Sequence, residues 1–117
     1  MSKLTAVRMC AQGDVLFRRV KALPDGAKRV ERKGPIIAGH SETGHHHAIA
    51  DDGVIQFDGG DPLRCYLLLE SVDSCDVVHH RSWDTHETVS LGGGQGAVWE
   101  VIRQREFAPE GWRRVAD

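Results

Sequence analysis

At 117 residues, 40% of them hydrophobic and 27% charged, the chain is long enough to bury a core without staples and too short for two lobes around a cleft, so a single domain over residues 1–117 is expected. Fifteen Lys and Arg against seventeen Asp and Glu leave a net charge of -2, which gives no overall basic field for nucleic acid or an anionic membrane. No apolar run approaches a membrane span, the first residues lack the apolar core of a secretory signal, and three cysteines without CxxC spacing do not make a disulfide framework; a soluble cytoplasmic protein is expected.

In chain order, short β-rich runs alternate with turns. Leu4 to Arg8 and Val15 to Val20 read as strands, followed after Pro24-Asp25-Gly26 by Lys28 to Glu31 and Pro35 to Gly39. His46 to Ala50 and Val54 to Phe57 flank the turn Asp51-Asp52-Gly53. Past Asp58-Gly59-Gly60-Asp61-Pro62, the run Arg64 to Glu70 is apolar on both pleat faces through Cys65-Tyr66-Leu67-Leu68-Leu69, as a strand covered on both sides would be. Cys75 to His80, Glu87 to Leu91 and Ala97 to Phe107 complete the set. The last run places Trp99, Val101, Arg103, Arg105 and Phe107 on one face, and its arginines are a place to meet an anion or a partner's carboxylate. Helix is limited to a terminal turn near Pro109 to Arg113. This spacing predicts an all-β fold, a small single-domain β-barrel or sandwich with almost no helix.

Four of the seven histidines fall between Gly39 and His47, in Gly39-His40-Ser41-Glu42-Thr43-Gly44-His45-His46-His47. A strand turns alternate side chains to one face, so His45 and His47 project together and His46 the other way. Two imidazoles at that spacing suit one divalent transition metal, whether zinc, iron, nickel or manganese. Two ligands are too few for a site. The remaining histidines, His79, His80 and His86, follow the central strand; at most one of the adjacent pair joins, either His79 or His80, and His86 sits in a loop where a third ligand is common. Asp52 is a further candidate. The competing reading is a polar surface whose histidines titrate near their ordinary value or meet a partner.

The segment Gly39, His45, His47, Asp52, Gly59 resembles the first metal-binding motif of cupins, small β-barrels whose motif runs Gly, His-x-His, an acidic residue and a second Gly. The resemblance implies a metal held by His45, His47 and Asp52. Asp stands where the family usually has Glu, and the second cupin motif is not recognisable, leaving His86 as the substitute for its histidine. The order Gln12-Gly13-Asp14-Val15-Leu16, Leu23-Pro24, Thr43-Gly44-His45-His46-His47-Ala48-Ile49, His86 and Arg103-Gln104-Arg105-Glu106-Phe107-Ala108-Pro109 resembles an uncharacterised family of small bacterial and phage-associated proteins. It implies one compact unit and no substrate. Gly13-Asp14 before an apolar strand is similar to β-clip and chaperonin-like barrels.

Other motifs fall away. Leu91-Gly92-Gly93-Gly94-Gln95-Gly96 lacks the Gly-Lys-Ser/Thr ending of a phosphate loop and precedes a strand, so it reads as a hairpin turn. Ser71, Ser82 and Ser90 are in no nucleophile elbow, and Cys75 near His79 is no catalytic pair by spacing alone. Trp83, Trp99 and Trp112 read as packing residues. The expectation is a non-catalytic metal-binding β-domain with ligands His45, His47, His86, Asp52 and His80. Two alternatives stand beside it: a phage-particle or assembly protein that meets another chain or its own copy through exposed strands, and a small cupin-type metal enzyme.

Overall fold

Side chains that alternate between buried and exposed along short β-branched runs build half-buried strands, and eleven of them occur among the described residues. The computed structural model describes residues 3–6, 8–12, 15–40, 46–60, 63–80 and 88–103. The strands are β1 (Lys3–Ala6), β2 (Met9–Gln12), β3 (Val15–Val20), β4 (Lys28–Arg29), β5 (Ile36–His40), β6 (His46–Ile49), β7 (Val54–Asp58), β8 (Arg64–Leu69), β9 (Cys75–His80), β10 (Thr88–Leu91) and β11 (Val98–Arg103). No helix occurs among the described residues. The expected turn of helix near Pro109 to Arg113 lies outside them.

One sheet has the order β1-β10-β9-β6-β5 and the other β2-β3-β11-β8-β7-β4. Both are open, so the all-β expectation resolves to two packed sheets rather than a closed barrel. All described pairings are antiparallel except β1 with β10. The inner faces share one core: Ile36, Ile49, Val77 and Leu91 from the five-stranded sheet meet Phe17, Leu67, Leu69 and Trp99 from the six-stranded one. Trp99 is wholly buried, and its Nε1–H donates to the carbonyl of Gly92 at 2.9 Å, so the ring's one polar atom is satisfied inside the core.

Two details differ from the expectation. Leu91 to Gly96 is not a hairpin turn, because β10 and β11 belong to different sheets; the glycines carry the chain from one layer to the other, with Gly93, Gly94 and Gly96 at positive φ. The predicted strand Leu4 to Arg8 corresponds to β1, which stays in the five-stranded sheet; after a break comes β2, a strand missing from the expected set, which crosses to pair with β3. The sequence hides this break because Met9-Cys10-Ala11-Gln12 has no clean alternation of apolar and polar residues.

The turn that carries the chain from β6 in the five-stranded sheet to β7 in the six-stranded one is held at both ends. Gly53 adopts φ 89° in its turn, and its carbonyl accepts from the amides of Glu70 at 2.8 Å and Ser71 at 3.1 Å. The Arg32 guanidinium donates to the carbonyls of Gly34 (2.7 Å), Ile49 (3.4 Å), Ala50 (3.0 Å), Asp51 (2.6 Å) and Val54 (3.2 Å). Five acceptors on one rigid fork fix where β6 ends, and therefore where its histidines fall.

Candidate functional site

In β6 the inward positions are His47 and Ile49, and in β9 they are Cys75, Val77 and His79. His47 is the Cα partner of His79 across the β6–β9 pairing. Their rings stack with centroids 4.3 Å apart and an interplanar angle of 20°, at 1% and 0% exposure. Two fully buried imidazoles in an otherwise apolar layer are costly to place unless their ring nitrogens are engaged.

Gln12, 2% exposed on β2 of the facing sheet, sets the state of His47. Its Nε2 donates to the carbonyl of Val77 at 2.9 Å, and a carbonyl only accepts, so the amide orientation is determined. Oε1 is then the atom 2.8 Å from Nδ1 of His47, and His47 must carry its proton on Nδ1 to donate there. In the neutral ring the lone pair is on Nε2. A histidine that gives its other N–H to a fixed acceptor is oriented and made a better donor for an ion.

The expected site residues distribute unevenly around this pair. His45 and His86 lie outside the described residues. Asp52 is exposed in the turn that follows β6, on the far side of Ile49 from His47. The backbone of His80 belongs to β9, where its Cα partner is His46, not His47. His79 is the histidine that meets His47, and the sequence carries the signal for it: Cys75, Val77 and His79 alternate on one face of their strand. Gln12 left no signal, since its role comes from the second sheet lying over the first. Among the described residues no group of three or more His, Cys, Asp or Glu forms a metal cluster.

A second polar cluster sits on the outer face of the six-stranded sheet. Glu100 of β11 is the Cα partner of both Arg18 on β3 and Tyr66 on β8. Its carboxylate, 5% exposed, accepts from the Arg18 guanidinium through one oxygen and from Arg64 and the Tyr66 hydroxyl, each at 3.0 Å, through the other. Burial pushes the Glu100 carboxyl up, but the hydrogen bonds from Tyr66 and Arg18, the Arg18 charge and the hydrogen bond from Arg64 outweigh it and hold the group below its ordinary value. Burial, and then the adjoining carboxylate, push the Tyr66 phenol up. The donors are spent on one another, so this cluster is cross-strand bracing.

Between the sheets a cleft of about 410 Å³ is lined by β5 residues Ile36 and Ala38 and by Arg32, Gln56, Cys65 and Arg103. Arg103 thus occupies the mouth of the sandwich; Arg105 lies outside the described residues. The thiols near the core are poor nucleophiles. Burial raises Cys10 to about 11, and burial followed by the charges of Asp51 and Asp76 raises Cys75 to about 12.

The chain belongs to the family described as a domain of unknown function (DUF8820), whose model matches residues 11–104 and so takes in Gln12, His47, His79 and Glu100. No curated protein and no solved structure matches the chain.

Proposed function

We propose that this member of the family is a non-catalytic metal-binding β-domain, in which His47 and His79 hold a divalent transition metal between the sheets. The observation that carries the reading is the Gln12 link, because it leaves Nε2 of His47 as the basic nitrogen of a ring stacked on a second buried imidazole. Imidazole donors suit zinc, nickel and iron better than calcium or magnesium. His45 and His86, the ligands expected from the sequence, complete the proposed shell. Asp52 and His80 are left out of it, since one is exposed beyond the end of β6 and the other is in register with His46.

A structural role fits the burial. A catalytic ion needs a coordination position that substrate can reach, whereas His47 and His79 are 1% and 0% exposed. An ion held there joins β6 to β9 and its binding energy adds to folding. The test is metal analysis of full-length protein purified without a nickel column. About one equivalent of metal is expected, with a chelator lowering the melting temperature. His47→Gln and His79→Gln should each lose the metal. Metal-free protein that melts identically with and without chelator would refute the reading.

A second reading is self-association through the edges of the six-stranded sheet. Met9, 57% exposed on edge strand β2, and Val30, 37% exposed just after edge strand β4, are its most exposed large apolar side chains among the described residues. Sedimentation of wild type against Met9→Lys tests this, and a monomer at all concentrations in wild type eliminates it.

A further inference from the structure

The stretch Glu31-Arg32-Lys33-Gly34-Pro35 takes the chain from β4, an edge of the six-stranded sheet, to β5, an edge of the five-stranded one. The cleft of about 410 Å³ lies beside this crossing. Small-molecule sites span about 300–1,000 Å³, so the space suits a small ligand.

The floor is the inner face of the six-stranded sheet. Gln56 is the Cα partner of the core residue Leu67, Cys65 is the partner of the core residue Val101, and Arg103 lies two positions beyond Val101, so all three share the core's side of the sheet. Burial pushes the Cys65 thiol up; the Gln56 hydrogen bond and the Arg103 charge oppose it, and the Asp58 charge adds to it, with the balance upward. A neutral amide and a neutral thiol therefore flank Arg103 on this floor.

The facing wall is the rim of β5. Consecutive strand residues point to opposite faces, yet Ile36, Ile37 and Ala38 all border the cleft, so it runs along the edge of the strand. β5 is the last strand of its sheet, paired with β6 on one side and with no described strand on the other, and an open edge turns backbone N–H groups outward. The pairing with β6 is irregular here. Ile36 opposes Ile49 and Ile37 opposes Ala48, but Gly39 opposes His47, which leaves Ala38 as an extra residue in β5, buried at 4% and packed into the core rather than looped out.

The charges around the cleft are unequal. Arg32, Lys33, Arg64 and Arg103 border it against one carboxylate, Glu31. Glu31 is 3.9 Å from Lys33, but the two side chains are 79% and 83% exposed, so water screens the pair. Arg32 gives its N–H groups to carbonyls and Arg64 donates to Glu100, so these two contribute field more than donors.

We propose that this cleft binds a small organic anion, a carboxylate or phosphate on a short apolar body, with Arg103 and Lys33 at the charged head, the β5 edge donating to it and Ile36 to Ala38 packing against the body. No histidine takes part, so the site stands or falls separately from the proposed metal.

The experiment titrates the full chain with benzoate, phenyl phosphate, inorganic phosphate and neutral benzamide, read by calorimetry and by amide proton–nitrogen spectra. At least one of the two aryl anions should bind at a single site and shift the amides of Ile36, Ile37 and Ala38, and the tighter of the two identifies the head group. Benzamide, without the charge, and inorganic phosphate, without the body, should bind more weakly. Arg103→Gln should lower the affinity by at least about tenfold. Lys33→Gln should also weaken binding, and it carries the test if Arg103→Gln melts early, because its side chain is exposed. Lys21→Gln, the same change of net charge just past β3, should have no effect. His47→Gln should bind the anion as wild type does. The proposal is overturned if neither aryl anion binds more tightly than benzamide, if folded Arg103→Gln or Lys33→Gln keeps wild-type affinity, or if Lys21→Gln or His47→Gln loses as much.

Discussion

His47 donates from Nδ1 to Oε1 of Gln12 at 2.8 Å, across the gap between the two sheets. Replacing Gln12 with Leu strands that N–H and the Val77 carbonyl in the core, at a cost of about 1–3 kcal/mol. It also releases the ring tautomer, so metal affinity at the inner site should fall by about 10–100-fold. Urea unfolding and a metal titration measure the two effects separately. A folded Gln12→Leu protein with undiminished affinity would take Gln12 out of the site.

Glu100 gives the protein an acid limb. Its carboxyl is held below the ordinary value in the folded state, so the stabilisation is present above the unfolded-state pKa and is lost as pH falls through the folded-state one. Urea midpoints should therefore drop below about pH 4.3. Glu100→Gln should flatten that limb and cost about 1–3 kcal/mol at neutral pH, toward the lower end because Arg18 and Arg64 remain 48% and 44% exposed and water screens them. An acid limb unchanged in Glu100→Gln would assign it to other carboxylates.

Cys75 behaves in the opposite sense. Its thiol is raised to about 12, so its contribution is complete below the unfolded-state pKa of about 8.5 and is lost as pH climbs through the folded-state value. In native protein at about pH 8, a thiol reagent should leave Cys75 unmodified, and it should react only after denaturant is added. Rapid labelling of Cys75 without denaturant, located by peptide mapping, would contradict its burial.

Trp99→Phe keeps an aromatic ring but removes the donor to Gly92 and leaves space in the core. A loss of about 2–4 kcal/mol is expected in denaturant unfolding. The same variant should lose the blue-shifted component of tryptophan emission that a wholly buried indole supplies. A loss below about 0.5 kcal/mol would mean that the core closes over the gap.

Strand positions were largely legible because alternation is local: Val15–Val20 and Cys75–His80 can be read residue for residue from the chain. The β1–β2 break and the crossing at Gly92 to Gly96 were not, because which sheet a strand joins depends on distant partners. The same limit applies to the histidines. Alternation separates His79 from His80, but only the β6–β9 register decides that His79 meets His47. Gln12 comes to His47 from 35 positions away, and no spacing rule reaches that far.

Ala38 makes the histidine layout a matter of parity. A strand has a period of two, so gaining or losing one residue exchanges its faces, whereas a point substitution alters a single position. Deleting Ala38 would leave every histidine in the chain and still break up their alignment across β5 and β6. Chain length in β5 is thus under tighter constraint than residue identity at most of its positions.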